Sequence, residues 1–550
     1  MPLFLFRETE VVRAMRKIPD GSTIAISGFN ISTAPEYLML KLYDSYNKSG
    51  HPRHLFIESD SLPGAPGRGI DYIIRKLQES EDHDFLDGVL MPFLGWSKWL
   101  QKIVEGNEVE GYSCSIGTVA HLFREMSAGR PGLLTKVGME TFLDPEHEGG
   151  MLNDKARERK RVTSTRVNLK GEDYLFVTAP KPTISFIRGT TADAMGNVSM
   201  EKEGIYGTVF TIAQAAKACP GRGKVFCQVE RIARSGTINP KAVHVPGPLI
   251  DYVIVAPSEY AWQTGSIEFD PRISGGLIPP KSKMKRTDRK PNTRSVIQKR
   301  AALEVVRRVR EERRPIIANF GVGIPSEVPG VLEYERVSDF VYATVEAGPW
   351  GGIPLSGNDF GVSVGPFAII PLPDQFTLYE GGMIDVAVLG FMQVGQNGDV
   401  NPSMLPGRMM GPGGFPAISS GSPSTVFAGT FTAGKSSISV ENGALRIKED
   451  GEVPKFVEKV YKTFFSGRGA VAGKKDITYI TERAVFKLQS NGPVLIEVAP
   501  GIDLDRDVMD KMGFRPKVSE DLKTMDKTLF LSRQMGLHPM VSGTPRGVLR

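Results

Sequence analysis

The chain has 550 residues, 40% hydrophobic and 24% charged, and a net charge of +6 from 68 basic and 62 acidic side chains. That length is too great for one hydrophobic core, so two or more domains are expected, with the composition of an ordinary soluble globular protein. There is no run of about 18 apolar residues to span a membrane, and the three scattered cysteines and seven histidines show neither CxxC nor HExxH spacing, so no disulfide framework and no metal are expected.

Met1 to Glu8 is briefly apolar without a basic leader, and reads as a mature cytoplasmic start. Glu8 to Ile18 carries apolar residues at helical spacing, Thr23 to Ile26 is a short strand, and Ser27-Gly28-Phe29-Asn30 is a turn. Pro35-Glu36-Tyr37 opens a second helix, since proline is tolerated in a first turn. Strands are then expected at Leu55 to Glu58, Gly88 to Pro92, Tyr174 to Thr178, Thr183 to Arg188, Lys224 to Gln228 and Tyr252 to Ala256. Helices alternate with them around Trp96 to Val104, Val119 to Ala128 and Val209 to Ala218. This alternation argues for an α/β fold with a mostly parallel, doubly wound sheet.

Gly-Gly, Pro-Pro and a run of basic residues coincide between about Gly275 and Arg294, where a domain boundary is expected. The basic run Lys281 to Arg300 has no aromatic residue and reads as a solvated linker rather than a nucleic-acid contact. After it the pattern restarts, with a helix over Ala301 to Arg310, a strand at Ile316 to Ala318 and the glycine turn Gly321-Val322-Gly323-Ile324-Pro325. Helix, strand, glycine turn and helix start thus occur in both parts, a weak internal repeat of domain size. Later strands are expected at Val386 to Leu389, Ser424 to Ala428, Ile477 to Ile480, Ala484 to Leu488 and Val494 to Val498, and the stretch from Thr524 has little pattern. The domains expected are residues 1–280, a linker at 281–297, a second domain at 298–523 and a tail at 524–550.

The chemistry centres on Glu346. The apolar run Phe340 to Val345 reads as a buried strand that ends on this single carboxylate, followed by Gly348, Pro349, Gly351, Gly352 and Pro354. A carboxylate at a strand's C-terminal end is where open α/β sheets place chemistry, and without a paired carboxylate or a metal cluster it is left as nucleophile or base. Gly411-Pro412-Gly413-Gly414 exposes consecutive amide N–H groups, suited to an oxyanion or a phosphate, or to a plain turn. Gly321-Val322-Gly323-Ile324 is a candidate cofactor-binding turn, because helix N-termini attract anions. Arg188, at a strand end, has the charge to meet an anion, and Gln228 is a candidate amide donor. Trp350, beside Glu346, reads equally as core or as part of a substrate pocket. The turn at Gly196-Asn197 reads as a structural hairpin.

These motifs, in their order, resemble the class I coenzyme A transferases of the acetate/propionate type. The resemblance is carried by Gly28-Phe29 with Pro35-Glu36, Gly138-Met139-Glu140-Thr141-Phe142, Arg188-Gly189-Thr190-Thr191-Ala192-Asp193, Gln228-Val229-Glu230, Glu346-Ala347-Gly348-Pro349, Gly411-Pro412-Gly413-Gly414-Phe415 and Thr481-Glu482-Arg483. It implies two similar α/β halves with the active site between them. It also implies a ping-pong exchange of CoA between a short-chain acyl-CoA and a free carboxylic acid, through an acyl-glutamyl anhydride and a glutamyl-CoA thioester at Glu346. A carboxylate nucleophile is already ionised at neutral pH on its ordinary pKa. Gly413 and Gly414 are implied as oxyanion donors, with Tyr37 or Gln228 replacing an Asn that some members place after the Pro-Glu pair. Phe29, Tyr37 and Trp350 are implied in the substrate pocket, and Tyr37 and Trp350 depart from the family pattern. Coenzyme A enters as substrate rather than as a resident cofactor, and a cytoplasmic homo-oligomer with no nucleic-acid or membrane partner is expected. Competing expectations are an acyl-CoA hydrolase, an acyl-carrier transferase subunit of a decarboxylase or lyase, and a non-catalytic ligand-binding module.

Overall fold

A computed structural model describes residues 1–278 and 290–545. The described residues form two compact units. The first takes those up to 278 together with Val345–Thr377 and Pro406–Ala417, and the second takes the rest.

The first unit is built on eight strands in the spatial order Leu3–Leu5, Tyr252–Val255, Lys224–Val229, Ile184–Arg188, Thr23–Ile26, Leu55–Glu58, Leu86–Leu90 and Glu110–Tyr112. Every pairing is parallel. Strands such as Ile184-Ser185-Phe186-Ile187-Arg188 are buried along their whole length, which suits a parallel sheet covered on both faces. The helices Ile116–Ser127 and Val209–Ala218 supply one cover, packing Val119, Leu122 and Phe123 with Val209, Ile212 and Ala216 into a shared core. Strand order reverses where Thr23–Ile26 lies beside Ile184–Arg188, with Ile24 opposite Ile184 and Ile26 opposite Phe186. The carboxyl ends of strands at such a reversal open a crevice, where α/β sheets hold ligands.

The second unit orders its strands Val341–Thr344, Ile316–Phe320, Val386–Leu389, Ser424–Ala428, Asp476–Ile480, Ala484–Gln489, Gly492–Val498 and Lys517–Thr524. The first five are parallel, two antiparallel steps follow, and the last strand is parallel again. Mostly parallel α/β sheets are therefore present as expected. Among the described residues no helix is long and apolar enough to cross a membrane, and no cluster of metal-ligating side chains occurs.

Three readings of the sequence need correction. Tyr174 to Thr178 is a strand, but it belongs to a separate antiparallel sheet ordered Leu133–Thr135, Glu172–Thr178, Thr163–Leu169. The Lys170-Gly171 turn, with positive φ at both residues, folds two half-polar strands into a hairpin. The strand leading to Glu346 covers Val341–Thr344 and is only half-buried at Val341, Tyr342 and Ala343.

The basic run is also not solvated throughout. Its first part, 281–289, lies outside the described residues, but a helix spans Thr293–Glu312, capped by the Asn292 side chain, which accepts from the Ser295 N–H at 2.9 Å. Arg300 is buried between Glu304 at 2.9 Å and Glu497 at 2.8 Å. The Lys299 ammonium donates to the carbonyls of Leu531 and Arg533 at 2.6 and 3.1 Å. Glu304 apart, these partners lie far along the chain, so the charges look solvent-facing in sequence and are not. The C-terminal stretch is packed on the same core through Met525, Leu529, Phe530, Leu537 and Val541. Removing the guanidinium in Arg300→Ala strips Glu497 of this cation and leaves Glu304 with Arg307 alone. A loss of roughly 3 kcal/mol is expected in denaturant unfolding, and a midpoint unchanged from wild type would contradict it.

Candidate active site

Thr344 ends its strand in a polar network of the second unit. Its hydroxyl donates to the Ala318 carbonyl at 3.1 Å and accepts from the Tyr379 hydroxyl at 2.9 Å, while Asn319 Nδ2 donates to the Thr344 carbonyl at 3.2 Å. Two residues on, the chain turns sharply. The Val345 N–H donates to the Pro349 carbonyl and the Gly348 N–H to the Val345 carbonyl, both at 2.9 Å, so Glu346 rides on the tip of a tight turn. Gly348 has φ of +122°, and a methyl group there would overlap the Ile370 carbonyl. Only glycine fits this turn.

The Gly411–Gly414 loop reaches Glu346 within the first unit. The Gly413 N–H donates to the Pro92 carbonyl at 2.9 Å, and the Gly413 carbonyl accepts from the Ile116 N–H at 3.0 Å. The loop is thereby pinned between the end of strand Leu86–Leu90 and the start of helix Ile116–Ser127. The next amide, Gly414 N–H, is left for the Glu346 carboxylate. A methyl group on Gly414 would overlap Glu346 Oε2 and would lie 3.1 Å from Phe376 Cζ. Of the two expected N–H donors, then, only Gly414 faces the carboxylate, because the Gly413 hydrogen is spent on Pro92.

Protein surrounds the Glu346 carboxyl, yet the residue keeps part of its surface open. Burial pushes its pKa up to about 7, with the Gly414 hydrogen bond pulling the other way. Sequence alone gives the ordinary ionised carboxylate, whereas the folded site holds it balanced between acid and anion near neutral pH.

The other expected residues divide. Gln228 is buried and committed. Its Oε1 accepts from the Tyr37 N–H at 3.0 Å and its Nε2 donates to the Tyr260 carbonyl at 2.8 Å, bracing the first turn of helix Glu36–Ser49. The Tyr37 ring packs against Tyr260 at 5.3 Å between centroids. Phe29 packs against Phe360 at 5.9 Å. Trp350 is half-buried, with its indole N–H donated to Gln375 Oε1 at 2.7 Å and its ring edge-on to Phe367 at 6.4 Å. Gly321 to Ile324 lie in the second unit, after strand Ile316–Phe320, with Val322 exposed.

Arg188 is not an anion contact. It is buried in a salt bridge to Glu203 at 2.9 Å and donates to the carbonyls of Ile31, Ala34, Ala261 and Trp262. Its guanidinium ties together two loops and has no face left for a ligand. The Gly196-Asn197 turn does form a hairpin, pairing Thr191–Asp193 with Val198–Ser199. Sequence reasoning passed over Gln375 altogether. It sits in helix Leu372–Glu380, whose first residues Leu372-Pro373-Asp374 are a proline-tolerant helix start that could have drawn attention to it.

Comparison with known proteins follows the same direction. A family model described as coenzyme A transferase matches residues 8–256. A caffeate CoA-transferase from Acetobacterium woodii is 37% identical over 95% of this chain and 97% of its own length. The acetate CoA-transferase YdiF of Escherichia coli strain K12 is 35% identical over 95% of each chain. A crystal structure of the acyl-CoA transferase YdiF from E. coli O157:H7, a thioester complex with CoA, has a TM-score of 0.86 at 33% identity and covers 97% of both chains. With a carboxyl held on a glycine turn, and likeness along nearly its whole length to CoA-transferases, the chain belongs to the class I coenzyme A transferase family.

Proposed function

We propose that this enzyme moves CoA between a short-chain acyl-CoA and a free carboxylic acid, with Glu346 as the covalent nucleophile. The observation that carries the proposal is the carboxyl of the half-buried Glu346, surrounded by protein on a tight turn and facing the Gly414 N–H. The Glu346 oxygen attacks the thioester carbonyl and CoA leaves as thiolate, giving an acyl-glutamyl anhydride. The thiolate then attacks the glutamyl carbonyl, the first acid departs, and a glutamyl-CoA thioester remains. The acceptor carboxylate attacks that thioester and the steps run in reverse order, returning Glu346 unchanged.

Each attack on the glutamyl carbon places negative charge on an oxygen that began as part of the Glu346 carboxylate. The Gly414 N–H, already aimed at that group, serves this oxyanion with no rearrangement. Gln228 acts by fixing the loop of Tyr37 rather than as the second donor. Phe29, Tyr37 and Trp350 shape the acid pocket, and the turn Gly321 to Ile324 contributes to CoA binding. A cytoplasmic, homo-oligomeric enzyme is part of the same proposal, on the family resemblance. The two relatives are named for acids as different as caffeate and acetate, so acid choice belongs to the pocket and not to the nucleophile.

Mass spectrometry of peptides after incubation with acetyl-CoA or propionyl-CoA, without acceptor acid, tests the proposal. A CoA thioester on the peptide carrying Glu346, absent in Glu346→Ala, is expected. Free CoA released steadily with no adduct would replace transfer by hydrolysis.

A further inference from the structure

Gln375 combines two properties that rarely go together. It is fully buried, and its Nε2 makes no hydrogen bond. An amide donor sealed in protein without a partner is costly, and a methionine of similar size would avoid that cost. The opposite end of the same side chain shows what the glutamine does. The indole N–H of Trp350 is a donor only, so the group facing it must be the amide oxygen, and that fixes which way the amide points.

The pair joins the two segments that enclose the nucleophile. Trp350 leaves the Glu346 turn directly after Pro349, whose strand pairs with Ala368–Ile369. Its ring is held between the Gln375 amide and the edge of Phe367, and Gly351 is needed beside it because a methyl group there would overlap the Phe367 ring. On the helix side, the residue after Gln375 is Phe376, whose Cζ lies at the point where Gly414 and the Glu346 carboxyl meet. Residues 375 and 376 therefore grip the turn from behind and the carboxyl from one side.

We propose that Gln375 is a positioning residue for Glu346. Its amide oxygen locks the Trp350 indole and so holds the nucleophile turn in register with the Gly414 amide, and the unpartnered Nε2 is the cost of that lock. The inference rests on Glu346 as nucleophile.

Gln375→Met and Trp350→Phe are the test, each measured for kcat, KM, thermal unfolding and glutamyl-CoA adduct formation. A displacement of about 1 Å at a nucleophile costs on the order of 100-fold, so kcat is expected to fall ~10- to 100-fold in each variant while KM moves less than about threefold. Gln375→Met loses a buried unpaired donor but leaves the half-buried Trp350 indole N–H without its acceptor, and with these effects opposed it is expected to unfold close to the wild-type temperature. The double variant is expected to be no slower than the slower single one, because both substitutions break one hydrogen bond. A kcat within twofold of wild type, a loss of stability that tracks the loss of rate, or single losses that multiply in the double variant would each overturn the proposal. Displacement of the Trp350 indole N–H proton resonance in Gln375→Met reads the lock without turnover. Absence of the adduct in wild-type protein, with the resonance still displaced in Gln375→Met, would sink the nucleophile assignment and leave the lock a structural contact alone.

Discussion

Glu346→Gln is expected to lose turnover by at least about 10³-fold, since an amide cannot attack a thioester and no second group replaces a covalent nucleophile. It is also expected to be more stable than wild type at alkaline pH. The Glu346 pKa rises from 4.5 in the unfolded chain to about 7 in the folded one. Between those values the native state holds a proton that the unfolded state has released, so stability declines as pH rises through that window and stays low above it. The ionised carboxylate then costs the fold ~2 kcal/mol, allowing for the partial exposure of the residue. Glutamine never ionises and escapes that cost. The Gln variant should accordingly melt above wild type at pH 8 and level with it near pH 4. Other carboxyls, among them Asp60 and Glu380, are also pushed up to about 7 by burial, so the difference between the two proteins, not either curve alone, isolates Glu346. An equal gap in melting temperature at both pH values would refute the assignment. In the wild type kcat/KM should climb through about pH 7 as the nucleophile ionises.

Gly414→Ala should cost about 100-fold in kcat with little loss of stability. The backbone at Gly414 does not need glycine, because its φ is not in the left-handed region, whereas Gly411 and Gly413 have φ of +87° and +56°. The only severe overlap of an added methyl is with Glu346 Oε2, the far end of a flexible side chain. The carboxylate swings aside and the fold survives. What is lost is the hydrogen bond to the Gly414 amide and the aim of the attacking oxygen, and removing one such donor is worth roughly 10²–10³ in rate. Steady-state kinetics beside thermal unfolding would separate the two effects. A variant that turns over normally would mean the carboxylate works from some other rotamer.

Much of this molecule is readable from its sequence, and the exceptions share a cause. Val209–Ala218, Val386–Leu389 and Ser424–Ala428 occur with the ends expected, because each is an apolar segment closed by residues that stop it locally. Glu346 stands out for a local reason too, a lone carboxylate within a few residues of Gly348, Gly351 and Gly352, whereas only folding sets the Gly414 loop beside it. Arg188 misleads because, besides Glu203, its partners are backbone carbonyls, which every residue type carries. Arg300 misleads because Glu497 is nearly 200 positions away. Gln375 is invisible because its function depends on one indole hydrogen 25 residues earlier. The Glu346 pKa belongs to no segment at all, being a property of how much protein surrounds the carboxyl.

The first compact unit gathers three separate stretches, the last ending at Ala417. On a ribosome, residues 1–278 emerge long before that point. At about 5–20 residues per second the chain needs roughly seven to thirty seconds more before Ala417 is made. Throughout that interval the eight-stranded sheet waits with the seat of its glycine loop, at Pro92 and Ile116, unoccupied. Nascent chains of this enzyme thus carry an incomplete first unit through most of their synthesis, the period in which a chaperone would have the most exposed surface to hold. A gene cut in the basic segment would yield a first fragment permanently in that state.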